Sequence, residues 1–410
     1  MAASDQTAVS VRVGVRRPST QQTALPRMVV LGVGPRTRKW LSDAYPSAVV
    51  KRPERRANGA VVEHLRFGHR QDLRGLPGLG TRFPSMIRDS VGLALAAGAT
   101  SVDLLLARVP GARPWELDRP EVLDVLTAPL STLPGTVVTV PDIAGPVPVG
   151  PGMALDVPGV ARRLVRVAHH LNPTLQERWQ LCLLDCPPEV ASGTVLSQVA
   201  GTDVALWSWA GDGAALARQG WRSAAAAVAG LLSRRDDIVF HGKTRRRIEL
   251  GAGRSVRRLS GIPQPTRPSG EACLNALQLD GLGDVATVLG ETTLRAPVGG
   301  WDIATLRTVK LIHRRIRLAA DEFVFRPVTS AESLALAAAL DIVLRPFVQA
   351  GLLAGPGGEG TPTIRGTADR DPTTPSLIAE VGATVRPWAR RLDVRVGVDP
   401  GRSATVEVRV

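Results

Sequence analysis

The chain has 410 residues, 44% apolar and only 4% aromatic, with 51 Lys and Arg against 37 Asp and Glu for a net charge of +14. That length gives two or three domains and an ample core built from Ala, Val and Leu. Three cysteines, Cys182, Cys186 and Cys273, exclude a disulfide framework, and the longest apolar runs, Ala224–Leu232 and Leu334–Leu340, are too short to span a bilayer. The base is nearly all Arg; the lysines are Lys39, Lys51, Lys243 and Lys310, and the pI is near 11.1. Such a balance fits either a generally basic surface or one that meets an acidic partner.

Residues 1–24 are polar apart from one alternating stretch, Val9-Ser-Val-Arg-Val-Gly-Val15, which predicts a strand-bearing arm. A buried strand, Met28–Val33, follows. Gly32-Val33-Gly34 behind it fails the dinucleotide fingerprint: Thr37 stands where the third glycine belongs, and Pro35 and Arg36 where a helix should open. Residues 46–82 read as irregular. Ser85–Ala97 is then a predicted helix, Ser101–Ala107 a buried strand, Glu121–Leu130 a short helix and Thr136–Val140 a strand. The prolines of Pro141–Gly159 mark a loop or boundary. Val160–Leu171 is a helix, Trp179–Leu184 a strand ending at Asp185, and Val195–Ala200 with Asp203–Trp209 a further helix and strand. The Ala-rich helix Trp221–Ser233 precedes a basic irregular segment, Arg245–Arg258, and a Pro-rich loop, Gly261–Gly270. Beyond these a short helix is expected at Glu271–Leu277, and strands at Val285–Leu289 and Thr293–Pro297.

Alternation of helices and strands predicts an α/β fold: a mixed, largely parallel sheet covered by helices, followed by a C-terminal α+β domain, with extended β-strand arms at both termini. The expected division is an arm at 1–24, α/β parts at 25–145 and 146–300, and a C-terminal domain at 301–410.

In that last part Asp302 caps a helix running through Phe323. On a helical wheel Val309, Ile312, Ile316, Ala319, Ala320 and Phe323 share one face; Arg307, Lys310, Arg314 and Arg317 share the other. Four cations without an intervening carboxylate repel one another, so the ridge is read as a docking face for an acidic neighbour, with a solvated face as the alternative. Thr329-Ser-Ala-Glu332 is a capping box opening a helix over Ala331–Ala350, and Gly351 stops it. A long loop, Pro356–Pro375, leads to alternating strands at Val381–Val385, Leu392–Val398 and Thr405–Val410. A chain ending on a strand offers an edge that is either covered or used in assembly.

No paired carboxylates in an apolar setting, metal cluster or nucleophile–base set is visible, so no catalytic, cofactor or metal residues are assigned. An enzyme would place Asp185 at the sheet edge. A nucleic-acid-binding protein would use Arg245–Arg258, although no aromatics alternate with those arginines. The sequence also shows no signal-peptide pattern at its start, which predicts a cytoplasmic, non-membrane protein.

The order of elements is similar to that of the contractile tail sheath family, found in phage tails and contractile injection systems. The resemblance is carried in succession by Ser90–Arg108, Val138-Thr-Val-Pro-Asp142, Leu183-Leu-Asp-Cys-Pro-Pro188, Val228–Asp236, Val288–Leu294, Thr305–Ile316 and, most closely, Phe325–Val410. The opening differs: Ser10–Arg17 replaces the family's usual start, and Thr292 stands for an arginine. The resemblance implies a non-enzymatic structural subunit with no cofactor. It implies a helical homopolymer around an inner tube, assembled in the cytoplasm, with baseplate and terminator or cap proteins as further partners. Nucleic acid is not expected as a partner, nor membrane insertion. Strand exchange between subunits would use Val9, Val11, Val13 and Val15 at one end and Thr405, Val406, Val408 and Val410 at the other. Arg307, Lys310, Arg314 and Arg317 would contact the tube.

Overall fold

A computed structural model describes residues 28–34, 41–55, 59–69, 71–78, 84–133, 136–145, 147–149, 152–187, 189–207, 223–234, 247–249, 275–279, 285–289, 293–295, 303–369, 371, 375–385, 390–402 and 404–409. The predicted arm at Val9–Val15 lies outside them, as do Val410, Asp302 and most of Arg245–Arg258.

The chain opens on β1 (Met28–Val33), whose six residues are all buried. A short helix, α1 (Leu41–Ala44), precedes β2 (Val49–Arg55) and β3 (Val61–Gly68). Then come α2 (Ile87–Ala96), β4 (Ser101–Arg108), α3 (Pro120–Leu130) and β5 (Val137–Thr139). A small hairpin, β6 (Val147–Val149) and β7 (Gly152–Ala154), leads to the long helix α4 (Val157–Glu177), β8 (Leu181–Asp185), α5 (Gly193–Val199) and β9 (Val204–Trp207). Helix α6 (Ala224–Arg234) follows.

These strands form one seven-stranded sheet in the order β2-β3-β4-β1-β5-β8-β9. β4, β1, β5, β8 and β9 run parallel, while β3 pairs antiparallel with β4 and with β2. The unbroken apolar runs of β1, β4 and β8 suit strands covered on both faces. Met28 and Val30 point into one apolar cluster with α2 and α6; Val29, Leu31 and Val33 point into the other with α3 and α4. α2 and α6 meet at Gly230, where a Cβ would collide with the backbone of Ala94.

The strands β2 and β3 correct the irregular reading of residues 46–82. In β3 the apolar alternation is broken by buried polar residues that are matched on β4. The Arg108 guanidinium donates to Glu63 at 2.7 Å, and Asp103 accepts from Arg66 at 2.9 Å and contacts His64 at 3.1 Å. A second correction concerns Glu271–Leu277, expected as a helix. Its described end begins the strand β11 (Ala276–Leu279), which joins β10 (Arg247–Glu249) and β12 (Val285–Leu289) in a separate antiparallel sheet.

The C-terminal part begins with α7 (Ile303–Asp321) and α8 (Ser330–Gln349). The Thr329 hydroxyl accepts from the Glu332 amide at 3.2 Å, so the predicted N-cap is in place, while the Glu332 carboxylate turns to Arg326 at 3.1 Å. Strands β13 (Leu353–Ala354), β14 (Thr363–Asp369), β15 (Ser376–Val385), β16 (Arg390–Val398) and β17 (Thr405–Arg409) form an antiparallel sheet. The order is β13-β15-β16-β17, with β14 also on β15. β14 falls within the expected loop Pro356–Pro375. Its inward residues are Ile364, Gly366 and Ala368, and the glycine is needed because α8 lies directly against it: a Cβ at Gly366 would strike the Ser333 carbonyl.

Candidate functional site

Three features of the C-terminal part bear on function: an open strand edge, a charged outer face, and a seam with the α/β core.

β17 pairs with β16 from Gly397↔Thr405 to Asp393↔Arg409 and is the last strand in the order, so no described strand covers its far edge. Val406 and Val408 pack inward against the core, while Thr405, Glu407 and Arg409 are exposed. The hairpin is tied down at its turn: the Ala404 amide donates to Asp321 at 3.2 Å, and the Gly401 amide to the Val324 carbonyl at 2.9 Å.

Period-two geometry puts one row of charges across the outer face, with Arg365 opposite Glu380, Glu380 opposite Arg395 and Arg395 opposite Glu407. Arg391, Asp393 and Arg409 flank it, and together these residues line a shallow trough of about 440 Å³. Opposite charges side by side leave this face strongly polar yet locally balanced.

The seam runs along α7. Its expected apolar face is confirmed, with Val309, Ile312, Ile316, Ala320 and Phe323 buried. The opposite face does not stand as a free ridge. Lys310 is only 6% exposed and pairs with Asp203, itself fully buried, at 2.5 Å. Its ammonium also donates to the Leu175 carbonyl at 3.0 Å and to the Gln180 carbonyl. Leu175 lies in the last turn of α4, so the cation meets the negative end of that helix. Burial pulls the Lys310 pKa down to about 8 against the pull of Asp203. Lys310 is therefore withdrawn from any outside partner. The first turns of α7 are covered on both sides, and a cation there is tolerated only because a buried carboxylate and two carbonyls receive it. Arg295 shares the same carboxylate at 3.1 Å. Arg307, Arg314 and Arg317 are half-buried. Arg307 and Arg314 line, with Lys310, a cleft facing Trp179, Val137 and Leu181; Arg317 pairs with Asp321 at 3.2 Å.

Beside this pair lies an aromatic contact that the sequence did not reveal. Trp179, in the turn between α4 and β8, has a φ of 56°, a rare conformation for a bulky residue. Its indole N–H donates to Nδ1 of His313 on α7 at 3.0 Å, and the rings meet edge to face with centroids 5.7 Å apart. The same imidazole donates to the backbone of Val406 on β17. With Nδ1 accepting from Trp179, the Nε2–H is the donor left for the Val406 carbonyl. The only sequence signal for this contact is an uncharged His313 set among cations.

Asp185 ends β8, as predicted, but its carboxylate is engaged. It accepts from the Ser223 hydroxyl and, at 2.9 Å, from the Ala225 amide at the start of α6. Asp142 holds the start of α2 in the same way, through Ser85 at 2.9 Å and the Met86 amide at 2.7 Å. Burial raises Asp185 to about 7 and Asp142 to about 6. Asp185 thus fastens a helix, and the enzyme reading has no free carboxylate there. Cys182 and Cys186 are buried free thiols, and burial raises both.

No protein-family model matches the sequence, and no curated protein matches it. Solved structures do match. The helical sheath of the anti-feeding prophage in its contracted state is 16% identical over 84% of this chain and 83% of that chain, with a TM-score of 0.50. The sheath of the PVC extracellular contractile injection system, also contracted, is 15% identical over 88% of each chain, with a TM-score of 0.54. A sheath tail protein from Listeria innocua aligns over 92% of this chain and 96% of that chain at 8% identity, with a TM-score of 0.43. On the likeness to the first two, carried by its mixed, mostly parallel sheet and its C-terminal antiparallel sheet, this chain has the fold of contractile sheath proteins.

Proposed function

We propose that this chain is the structural subunit of a contractile sheath. It polymerises helically around an inner tube and shortens to drive that tube through a target envelope. The observation that carries this reading is a fold shared with contracted sheaths over 84% and 88% of the chain. Subunits are linked by strand addition. The far edge of β17 receives an extended segment of a neighbour, for which the alternating Val9, Val11, Val13 and Val15 are the candidates. Thr405, Val406, Val408 and Val410 supply the C-terminal strand. Main-chain pairing at an edge is insensitive to side-chain detail and survives rigid-body swinging of the joined bodies. A contact of this kind that does not close on itself generates a helix.

The particle assembles in the cytoplasm, with baseplate and terminator proteins at its ends. The proposed tube contact narrows from the expected ridge to the cations that keep partial exposure, Arg307, Arg314 and Arg317. Lys310 is excluded by its burial.

Negative-stain microscopy of the purified full chain tests the reading: tubes or short cylinders are expected, and a protein that stays monomeric at high concentration overturns it. Deleting residues 405–410 should leave monomers. Tubes that persist after the deletion would rule out strand exchange while leaving the sheath reading intact. Charge reversal at Arg314 and Arg317 should abolish co-assembly with the tube, and unchanged co-assembly removes that contact.

A further inference from the structure

The contact between Trp179 and His313 joins segments 134 residues apart and is the meeting point of three elements: the α4–β8 turn of the core, helix α7, and the terminal strand β17. It borders a cleft of about 380 Å³ lined by Gln176, Asp203, Arg295, Lys310 and Val408 as well as the two rings.

We propose that His313 is an acid-labile latch, holding the α7–β17 side of the molecule against the α4–β8 turn while its imidazole is neutral and releasing that turn when protonated. The geometry permits one neutral tautomer. An indole N–H only donates, so Nδ1 must carry a lone pair. Protonation puts a hydrogen on Nδ1, and two donors then face each other. The bond to the Val406 carbonyl survives, so the joint that opens is the one to Trp179.

The cations around the ring act in the same direction. On α7 these are Lys310 and Arg317, the latter paired with Asp321. Arg295 approaches from the preceding segment, and it and Lys310 share the Asp203 carboxylate. β17 contributes no charge, because Glu407 and Arg409 lie on its opposite, exposed face. At the α4–β8 turn Glu177 and Arg178 pair with each other at 3.4 Å. Burial and the neighbouring cations hold the His313 pKa below its usual value. The turn itself stores strain: a bulky residue at positive φ is costly and persists only where surrounding contacts hold it.

The sign follows from linkage. The latched state has the lower pKa, so the latch is intact above the ordinary imidazole pKa of about 6.5 and weakens as pH falls below it. The opening equilibrium rises by up to about tenfold per pH unit in that window.

Hydrogen exchange on the full chain, resolved to the peptide spanning Gln176–Leu181 and corrected for intrinsic rates, reads this directly. Protection there should drop between pH 7 and 5.5, while amides of β4 stay protected. His313→Gln keeps an acceptor for Trp179 and a donor for Val406 without titrating, and should abolish the acid step. Trp179→Phe should expose the turn at every pH with no step. An acid step unchanged in His313→Gln, or one shared by β4, overturns the proposal. The measurement needs no polymer, so its failure is separate from failure of the sheath reading.

Discussion

The α/β core and the C-terminal unit solve the edge and charge problems of a sheet differently. In the core, β1, β4 and β8 are buried on both faces, and its buried carboxylates are matched within the chain: Glu63 by Arg108, Asp103 by Arg66, Asp142 and Asp185 by a serine and a helix start. The C-terminal sheet has one face on α7 and α8, one face of exposed charges, and a last strand whose far edge no described strand covers. The core sheet buries both faces of its central strands, whereas the C-terminal sheet buries one face and leaves the other charged and exposed. That difference makes burial the main source of stability in the first and puts the exposed charge on the second.

The comparison breaks most severely at the seam. Asp203→Ala leaves Lys310 buried without its carboxylate and should cost about 3–5 kcal/mol in urea unfolding. Lys310→Met should cost far less, because Arg295 still holds Asp203. A loss of similar size in both variants would mean the seam is held by packing and not by charge.

Next in size is the helix contact of the core. Gly230→Val forces α6 away from Ala94 and should destabilise by about 1–3 kcal/mol. The change should leave protection of β15 and β16 untouched, and equal loss there would show the two regions unfold as one.

A pH series sharpens the contrast further. The folded pKa of Asp185, about 7, lies above its unfolded value near 4. Between those values the folded chain holds a proton that the unfolded chain has released, so stability falls as pH rises through the window and levels off above it. The slope is on the order of 1.4 kcal/mol per pH unit. Asp185→Asn should remove this slope, measured as the wild-type minus variant difference in unfolding free energy at pH 5 and pH 8.

The smallest effect belongs to the outer charge row. Arg395→Ala should shift stability by about 0.5 kcal/mol or less, since exposed ion pairs contribute little. A larger change in polymer formation than in stability would assign that face to assembly.

Much of the fold was legible. Met28–Val33, Ser101–Ala107 and Leu392–Val398 declare themselves by apolar content or alternation, and Thr329 with Glu332 announces the start of α8. β3 and β14 were hidden for physical reasons. The polar residues of β3 are neutralised by partners on another strand, and β14 presents a glycine to a helix, so neither carries a periodic apolar signal. The cationic face of α7 was legible as a pattern, but the burial of Lys310 against Asp203 was not.

By itself the sequence determined that the core is α/β and most of its helices and buried strands, because these follow from spacing within a few residues. Only the tertiary structure decided that Lys310 is buried on Asp203, that Asp185 fastens α6, and that Trp179 meets His313. Those outcomes depend on charges and rings brought together from distant points in the chain, where the cost of burying an unmatched polar group selects the partner.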